Sequence, residues 1–369
     1  MKSRISKALL GIAIVVVIIG ATYLYFGYTT PRKVFRVYVP AYFLYGLTEQ
    51  DRAAAYDYVF YSWGERMGIQ VEVREFDSEI AMIEQLKTEV QSGNPRVSVV
   101  IMTSDAFRIA KSENLLEQYL PGNRSVIPEY LINITDPDFY GTPFEWIPLT
   151  FMYDSNYVSL TNVSFDDFVE NSTLAEMLMF VDPTVTEPGP QWLLSLIAYY
   201  RLKGTNNWTD WVIAVRDKIE IKGTWYDAWL AMISEQKSRY IMTGYLSDAP
   251  LTNLWFSVDN FRFAPIYYQG KYYAWFEIGV IAIVKNNPYP ELSKKFVEWF
   301  LSEPVQRWLP LYNGFLPANR YVFDEVPIAF VKYGVPFDQI SPLNVYISHQ
   351  EIEENLYSWI QQWSELISG

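Results

Sequence analysis

From Val34 onward the chain alternates short apolar runs with stretches whose apolar residues recur every three or four positions, and this alternation restricts the fold more than any other feature. Val34–Val39, Gln70–Arg74 and Val97–Ile101 have the length and composition of strands. Between them, residues 48–67 carry Tyr56, Phe60, Trp63 and Met67 at helical spacing, and a second helix places Ile80, Ile83, Leu86 and Val90 on one face. Thr103-Ser104-Asp105 then leads into a third helix, with Ser104 or Asp105 as its N-cap. A βαβαβα order implies a parallel sheet with helices on both faces. In such sheets, groups that touch a ligand come from loops at the carboxyl ends of the strands, here Tyr42–Gly46 and Thr103–Asp105.

A second alternating pattern follows. Phe144–Asp154 is extended, and strands are predicted at Leu178–Val181, Ile219–Lys222 and Tyr240–Thr243. Helices are predicted at Pro190–Leu202, around Trp208–Lys218 and from Trp225. Tyr272–Val284 is again extended and precedes a helix with Leu292, Phe296, Trp299 and Phe300, and a last helix carries Ile352, Leu356, Trp359 and Trp363. These stripes are packing faces.

Composition narrows the function. The 369 residues are 50% hydrophobic, enough for two domains with proper cores. A net charge of -13 repels phosphate backbones, which excludes nucleic acid as a partner and suits cationic or neutral ligands. With no cysteine and one histidine, His349, thiolate chemistry, disulfides, most zinc sites and histidine triads are removed together. His349, beside Gln350 and Glu351 at a helix start, reads as a solvated cap residue. A carboxylate-dependent surface hydrolase would need acidic pairs such as Asp166-Asp167, but these follow Ser164 at a helix start, where carboxylates favour the helix dipole. Aromatic content is 17%, with 13 Trp and 29 Tyr, more than an average core uses and suited to sandwiching flat rings.

Residues 1–33 read as an uncleaved membrane anchor. Lys2, Arg4 and Lys7 precede an uncharged run from Ala8 to Tyr28, and Arg32 and Lys33 follow it. At ~1.5 Å per residue that run crosses a ~30 Å hydrocarbon core, and the leading basic residues place the body outside the cell. Five Asn-x-Ser/Thr sequons, at Asn123, Asn133, Asn162, Asn171 and Asn207, point to an exported glycoprotein.

Seven short motifs in register over roughly residues 34–368 resemble the periplasmic thiamine-binding proteins of ABC importers. Phe144-Glu-Trp and Phe151-Met-Tyr153-Asp154 resemble that family's crossing strand, and Asp182-Pro183-Thr-Val-Thr186-Glu-Pro188-Gly189 resembles its Asp-Pro-x-x-Ser-x-Pro-Gly loop. Gly223-Thr-Trp225-Tyr-Asp-Ala228-Trp229 and Gly244-Tyr245 with Ser247-Asp-Ala-Pro250 match the next two. Tyr273-Ala-Trp-Phe-Glu277 resembles the returning strand, and Pro290–Phe296 and Tyr312–Pro317 complete the series. The resemblance implies a two-lobed α/β type II periplasmic-binding-protein fold with crossing hinge strands, following the N-terminal transmembrane helix. Lobe one is expected from residues 34–147 with 279–369, and lobe two from 148–278.

It also implies a binding protein with no catalytic residue, cofactor or metal. Such a protein would capture thiamine, a phosphorylated form, or a similar small cationic aromatic solute, and deliver it to an ABC permease and its ATPase. Carried over by position, the ligand-binding residues are Thr186, Trp225 and Tyr245 from lobe two, with Tyr42, Phe43, Ser104, Asp105, Glu145 and Phe315 from lobe one. Trp225 could instead pack on Trp229, Glu145 could serve as a hinge hydrogen-bond acceptor, and Glu277 reads mainly as hinge structure. The family's acidic residue after its first strand is replaced here by Pro40-Ala41-Tyr42-Phe43. The same fold could hold a ferric complex, an oxyanion, a sugar-like solute or a polyamine.

Overall fold

The computed structural model describes residues 33–44, 48–185 and 187–369. The expected anchor, apart from Lys33, and Thr186 lie outside the described residues, among which no helix is long and apolar enough to cross a membrane.

The strands that place the site are β1 Val34–Pro40, β2 Gln70–Phe76, β3 Val99–Thr103, β4 Thr142–Asp154, β5 Leu178–Val181, β6 Glu220–Lys222, β7 Ile241–Tyr245, β8 Phe261–Ala264 and β9 Phe276–Val284. The helices are α1 Glu79–Gln91, α2 Ser104–Ser112, α3 Gly189–Leu202, α4 Trp208–Val215, α5 Trp225–Ile233, α6 Asp248–Phe256, α7 Pro290–Phe300 and α8 His349–Ser368. The strands form one hydrogen-bonded path in the order β2-β1-β3-β9-β4-β7-β5-β6. Each end of the path is parallel: β1 pairs with β2 and β3, and β5 pairs with β6 and β7. The middle is antiparallel, where β9 runs against β3 and β4.

β4 belongs to both lobes. Up to Pro148 it pairs with β9, and from Leu149 it pairs with β7 and β8. Its 13 residues are buried almost throughout, so it reads as a continuous apolar run rather than an alternating one. The β4–β9 pair therefore forms the crossing between lobes, as the resemblance implies. Glu277 lies opposite Ile147 and Tyr245 opposite Leu149, which brings both residues to the crossing point.

Alternation along β5 explains how the cores divide. Met179 and Val181 face a cluster that includes Ala228, Met232 and Ala249 of α5 and α6 and continues into lobe one around Phe35, Phe60, Phe107, Phe144 and Phe300. Leu178 and Phe180 face the opposite way, onto Trp192 and Leu196 of α3, Trp211 of α4 and Trp363 of α8. The rings of Phe180 and Trp363 stack at 4.9 Å. Residues 340–369, expected with lobe one, thus pack largely on lobe two, because α8 closes the open face of α3 and α4. Its first residue corrects a second expectation: His349 is partly buried and its Nε2 lies 2.9 Å from the Ile134 carbonyl of lobe one, so it ties the lobes together and is not a solvated cap.

Candidate ligand-binding site between the lobes

Two helix starts face each other across the crossing strands. In lobe one, Thr103 ends β3 and is the N-cap of α2, accepting from the Ala106 amide, so neither Ser104 nor Asp105 has that role. This frees the Asp105 carboxylate, which accepts from Arg108 one turn on and from Gln191 Nε2 of α3 at 2.6 Å. The Asp105–Gln191 bond is a direct link from lobe one to lobe two. Ser104 beside it is buried at the first position of α2. Glu79, at the start of α1, reaches the same corner and accepts from the Thr103 amide at 2.7 Å and its hydroxyl at 2.6 Å.

Lobe two contributes Glu187, next to the undescribed Thr186. Burial pushes the Glu187 carboxyl up to about 8, with Asp105 and then Glu79 adding to the rise. Glu277 of β9 is 2% exposed, and neither of its oxygens has a hydrogen-bond partner among the described residues. Its carboxyl is driven well above the usual range, first by burial and then by Glu187, Asp105 and Glu79, with Arg108 opposing. Gln191 is fully buried; its Oε1 has no partner among the described residues, while its side chain hydrogen-bonds Glu187 and opposes the rise there. Four carboxyl groups from both lobes and the hinge therefore interact electrostatically here, with the Arg108 guanidinium opposing the rise at Glu187 and Glu277.

Aromatic groups border this region. Tyr42 is half exposed, yet burial raises its hydroxyl well above the usual phenol value, with Glu79, Glu187 and Glu277 contributing next, so the ring's polar end points inward. The Tyr245 hydroxyl is raised by burial and then by Glu187, Glu277, Asp248 and Asp105. The Tyr245 ring meets Phe315 of lobe one at 6.2 Å. Trp225 stacks on Trp229 at 6.0 Å, and its Nε1 donates to Asp248 at 3.0 Å. Asp248 also accepts from the Tyr245 amide at 2.7 Å, so Trp225 is joined to Tyr245 through a buried carboxylate. Gly244 permits this approach, since a Cβ there would stand 2.1 Å from the Asp248 Oδ2.

Two expected contact residues lie elsewhere. Phe43 is 1% exposed and packed among Phe60, Phe144 and Phe300, so lobe one's interior holds it and a guest cannot reach it. Glu145 gives both oxygens to Asn313 Nδ2, at 2.7 and 2.8 Å, while the Asn313 Oδ1 accepts from the Leu44 amide at 2.9 Å. Glu145 thus anchors the loop that carries Tyr42. Tyr42, Asp105, Tyr245 and Phe315 are gathered at one border, with Ser104 adjacent in sequence. Sequence reasoning missed Glu79, Glu187 and Gln191 as members of this border. Glu187 lay within the flagged Asp182–Gly189 loop, whereas Glu79 and Gln191 looked like ordinary first-turn residues of helices.

Other acidic and pocket features are accounted for locally. Asp167 completes a capping box with Ser164, and Asp166 accepts from Tyr199, Tyr200 and Lys203. No group of three or more His, Cys, Asp or Glu at metal-binding spacing occurs among the described residues. A surface hollow of about 650 Å³, lined by Arg36, Tyr38, Glu72, Arg74, Glu89 and Arg96 among others, shares no residue with the interlobe border.

Two α/β lobes joined by crossing strands, with polar and aromatic groups converging at the crossing, define the class of two-lobed solute-binding proteins. Residues 62–349 match the family model of the bacterial extracellular solute-binding proteins, and the chain belongs to that family. It is 21% identical over 226 residues to the thiamine-binding periplasmic protein of Escherichia coli (strain K12), covering 61% of this chain and 64% of that relative. Among solved structures, a periplasmic thiamin binding protein superposes with a TM-score of 0.68 at 18% identity, covering 92% of this chain and 99% of that one. The spermidine/putrescine ABC transporter substrate-binding protein of Streptococcus pneumoniae gives 0.66 at 16% identity, covering 91% and 99%. A Trichodesmium protein in complex with iron and citrate gives 0.68 at 16%, covering 90% and 99%. At these identities the likeness to solved structures establishes the fold.

Proposed function

We propose that this chain is the extracellular substrate-binding component of an ABC importer, held at the membrane by residues 1–33, and that it closes its lobes over a small cationic aromatic solute, with thiamine the first candidate. The observation that carries this reading is the interlobe border itself, where Glu79, Asp105, Glu187 and Glu277 meet with Tyr42, Tyr245 and Phe315. An organic cation lying against such rings gains ~0.5–2 kcal/mol per ring, and the carboxylates offset its charge. A guest that touches both lobes favours the closed form by its differential affinity, and the permease then receives that form. The Asp105–Gln191 bond and the Tyr245–Phe315 contact are the protein's own share of closure. The sequence relationship to a thiamine-binding protein supports thiamine, while the polyamine and ferric neighbours of the same fold define the competing solutes.

Thiamine added to the full-length chain should quench tryptophan emission and raise the melting temperature. Trp225→Ala should weaken that binding about tenfold, because the Asp248 link that positions Tyr245 is lost, and stranding the buried Asp248 should cost about 1–3 kcal/mol in stability. If thiamine leaves both emission and melting temperature unchanged at millimolar concentration, the thiamine assignment fails.

A further inference from the structure

The five Asn-x-Ser/Thr sequons are not equivalent in the folded chain. A glycan is attached through the Asn Nδ2, so only an amide whose nitrogen reaches solvent can carry one. Asn123 and Asn133 belong to lobe one. The Asn123 Nδ2 donates to the Glu298 carbonyl of α7 at 2.9 Å and its Oδ1 is buried, so both ends of that amide face protein. Asn133 is exposed but sits within the helix Glu129–Thr135, and Thr135, which supplies the hydroxyl of its sequon, is fully buried. A transferase reads the asparagine and the hydroxyl together in a surface loop, and here it meets a helix with the hydroxyl turned inward.

In lobe two the amides are set the other way round. Asn162 is exposed in a turn with a φ of 57°, and its Oδ1 accepts from the Tyr272 hydroxyl at 2.9 Å, which leaves the nitrogen to solvent. Asn171 is exposed between the helices Phe165–Glu170 and Ser172–Ala175, and its Oδ1 accepts from the Leu174 amide at 3.1 Å. A backbone N–H can meet only the oxygen of an amide, so Nδ2 is the outward atom there. Asn207 is exposed before α4 and makes no capping bond with its side chain. The hydroxyl residues of these three sequons, Ser164, Thr173 and Thr209, all reach the surface in part or in full. Asn207 lines a hollow of about 280 Å³ with Val169, Glu170 and Lys203, so Asn171 and Asn207 flank one face of lobe two. That hollow shares no residue with the interlobe border.

Resting on the extracellular placement above, we propose that the chain carries N-linked glycans at Asn162, Asn171 and Asn207 of lobe two and none at Asn123 or Asn133 of lobe one. The reaction joins Nδ2 to the anomeric carbon of an oligosaccharide borne on a membrane lipid phosphate. The C–N bond forms as the C–O bond from sugar to phosphate breaks; the lipid phosphate leaves with the electron pair, and Nδ2 gives up one proton. Sugar then covers the flank of lobe two formed by the end of α3 and the start of α4, while the groups at the crossing strands stay bare.

The test is glycopeptide mass spectrometry on the full-length chain purified from the cells that make it. Peptides containing Asn162, Asn171 and Asn207 should carry sugar, and those containing Asn123 and Asn133 should have their unmodified masses. Thr173→Ala keeps Asn171 and its bond to Leu174 but removes the sequon hydroxyl at an exposed position, so the folded variant should be lighter by one whole glycan. Asn162→Gln and Asn207→Gln should each lower the mass by the same step. Sugar on Asn123 or Asn133, its absence from any of the three lobe-two sites, or its retention in Thr173→Ala would overturn the proposal. Thiamine binding measured on the same preparation reads the solute assignment separately: an unmodified chain that binds thiamine overturns the glycan sites alone, and a glycosylated chain that ignores thiamine overturns the thiamine assignment alone.

Discussion

Asn313 shows how much one amide can organise. It donates twice to the buried Glu145 carboxylate and accepts from the Leu44 amide, so a hinge strand, a lobe-one loop and the segment leading to Phe315 are fixed together. Burial holds the Glu145 carboxyl up at about 8, with Asn313 opposing the rise. Asn313→Ala removes the amide nitrogen that serves both Glu145 oxygens and leaves that buried carboxyl without its donor, with a loss of about 1–3 kcal/mol in chemical denaturation and a further upward shift of its pKa. Because Leu44 is released as well, the loop that carries Tyr42 should exchange its amides faster, which hydrogen exchange would detect. The neighbouring Gly279 belongs to the same device, since a Cβ there would meet the Glu145 side chain at 2.4 Å.

At the scale of elements, α8 is the part whose place sequence proximity suggested least well. Its apolar stripe ends in Trp363, which is 1% exposed and stacked on Phe180 of β5. Arg216 after α4 donates to the Leu366 carbonyl, and Arg201 of α3 pairs with Glu351, so lobe two holds the helix along its length. Trp363→Ala should cost about 3–5 kcal/mol, measured by guanidinium denaturation, with the loss in the lobe-two transition if the lobes unfold separately. The helical periodicity of Ile352, Leu356, Trp359 and Trp363 was legible in the sequence, but which lobe it covered was not. An apolar face specifies that a helix must be buried, while the choice of partner depends on which face is left open by the rest of the fold.

Across the whole molecule, buried acids set the response to pH. Glu145 and Glu187 are raised to about 8 and Asp248 to about 7, each chiefly by burial. Between the ordinary carboxylate range and these values the folded chain binds more protons than the unfolded one, so stability falls as pH rises. Asp154 and Asp166 act oppositely: their carboxyls lie below the usual range, held there by hydrogen bonds and ion pairs that outweigh burial, so their contribution disappears as pH drops through the folded values. The ligand-free protein should therefore melt at its highest temperature in mildly acidic buffer and lose stability as pH rises from the ordinary carboxylate range to about 8, as thermal scans across that window would record. A melting temperature that climbs over the same interval would contradict this assignment of protons.

Sequence alone determined the alternating α/β character, the parallel ends of the sheet, the crossing strand at Phe144–Asp154 and the family likeness. These follow from local periodicity and short motifs, which the chain carries wherever it folds. It also marked Tyr42, Asp105, Tyr245 and Phe315, which lie on segments that end strands or follow turns. Tertiary structure decided that Phe43 and Glu145 face inward to other tasks, that α8 serves lobe two, and that Glu79, Glu187 and Glu277 meet although they are some 200 positions apart at the extremes. Burial and electrostatic field at a point are sums over everything packed around it, and no local stretch of sequence contains those sums.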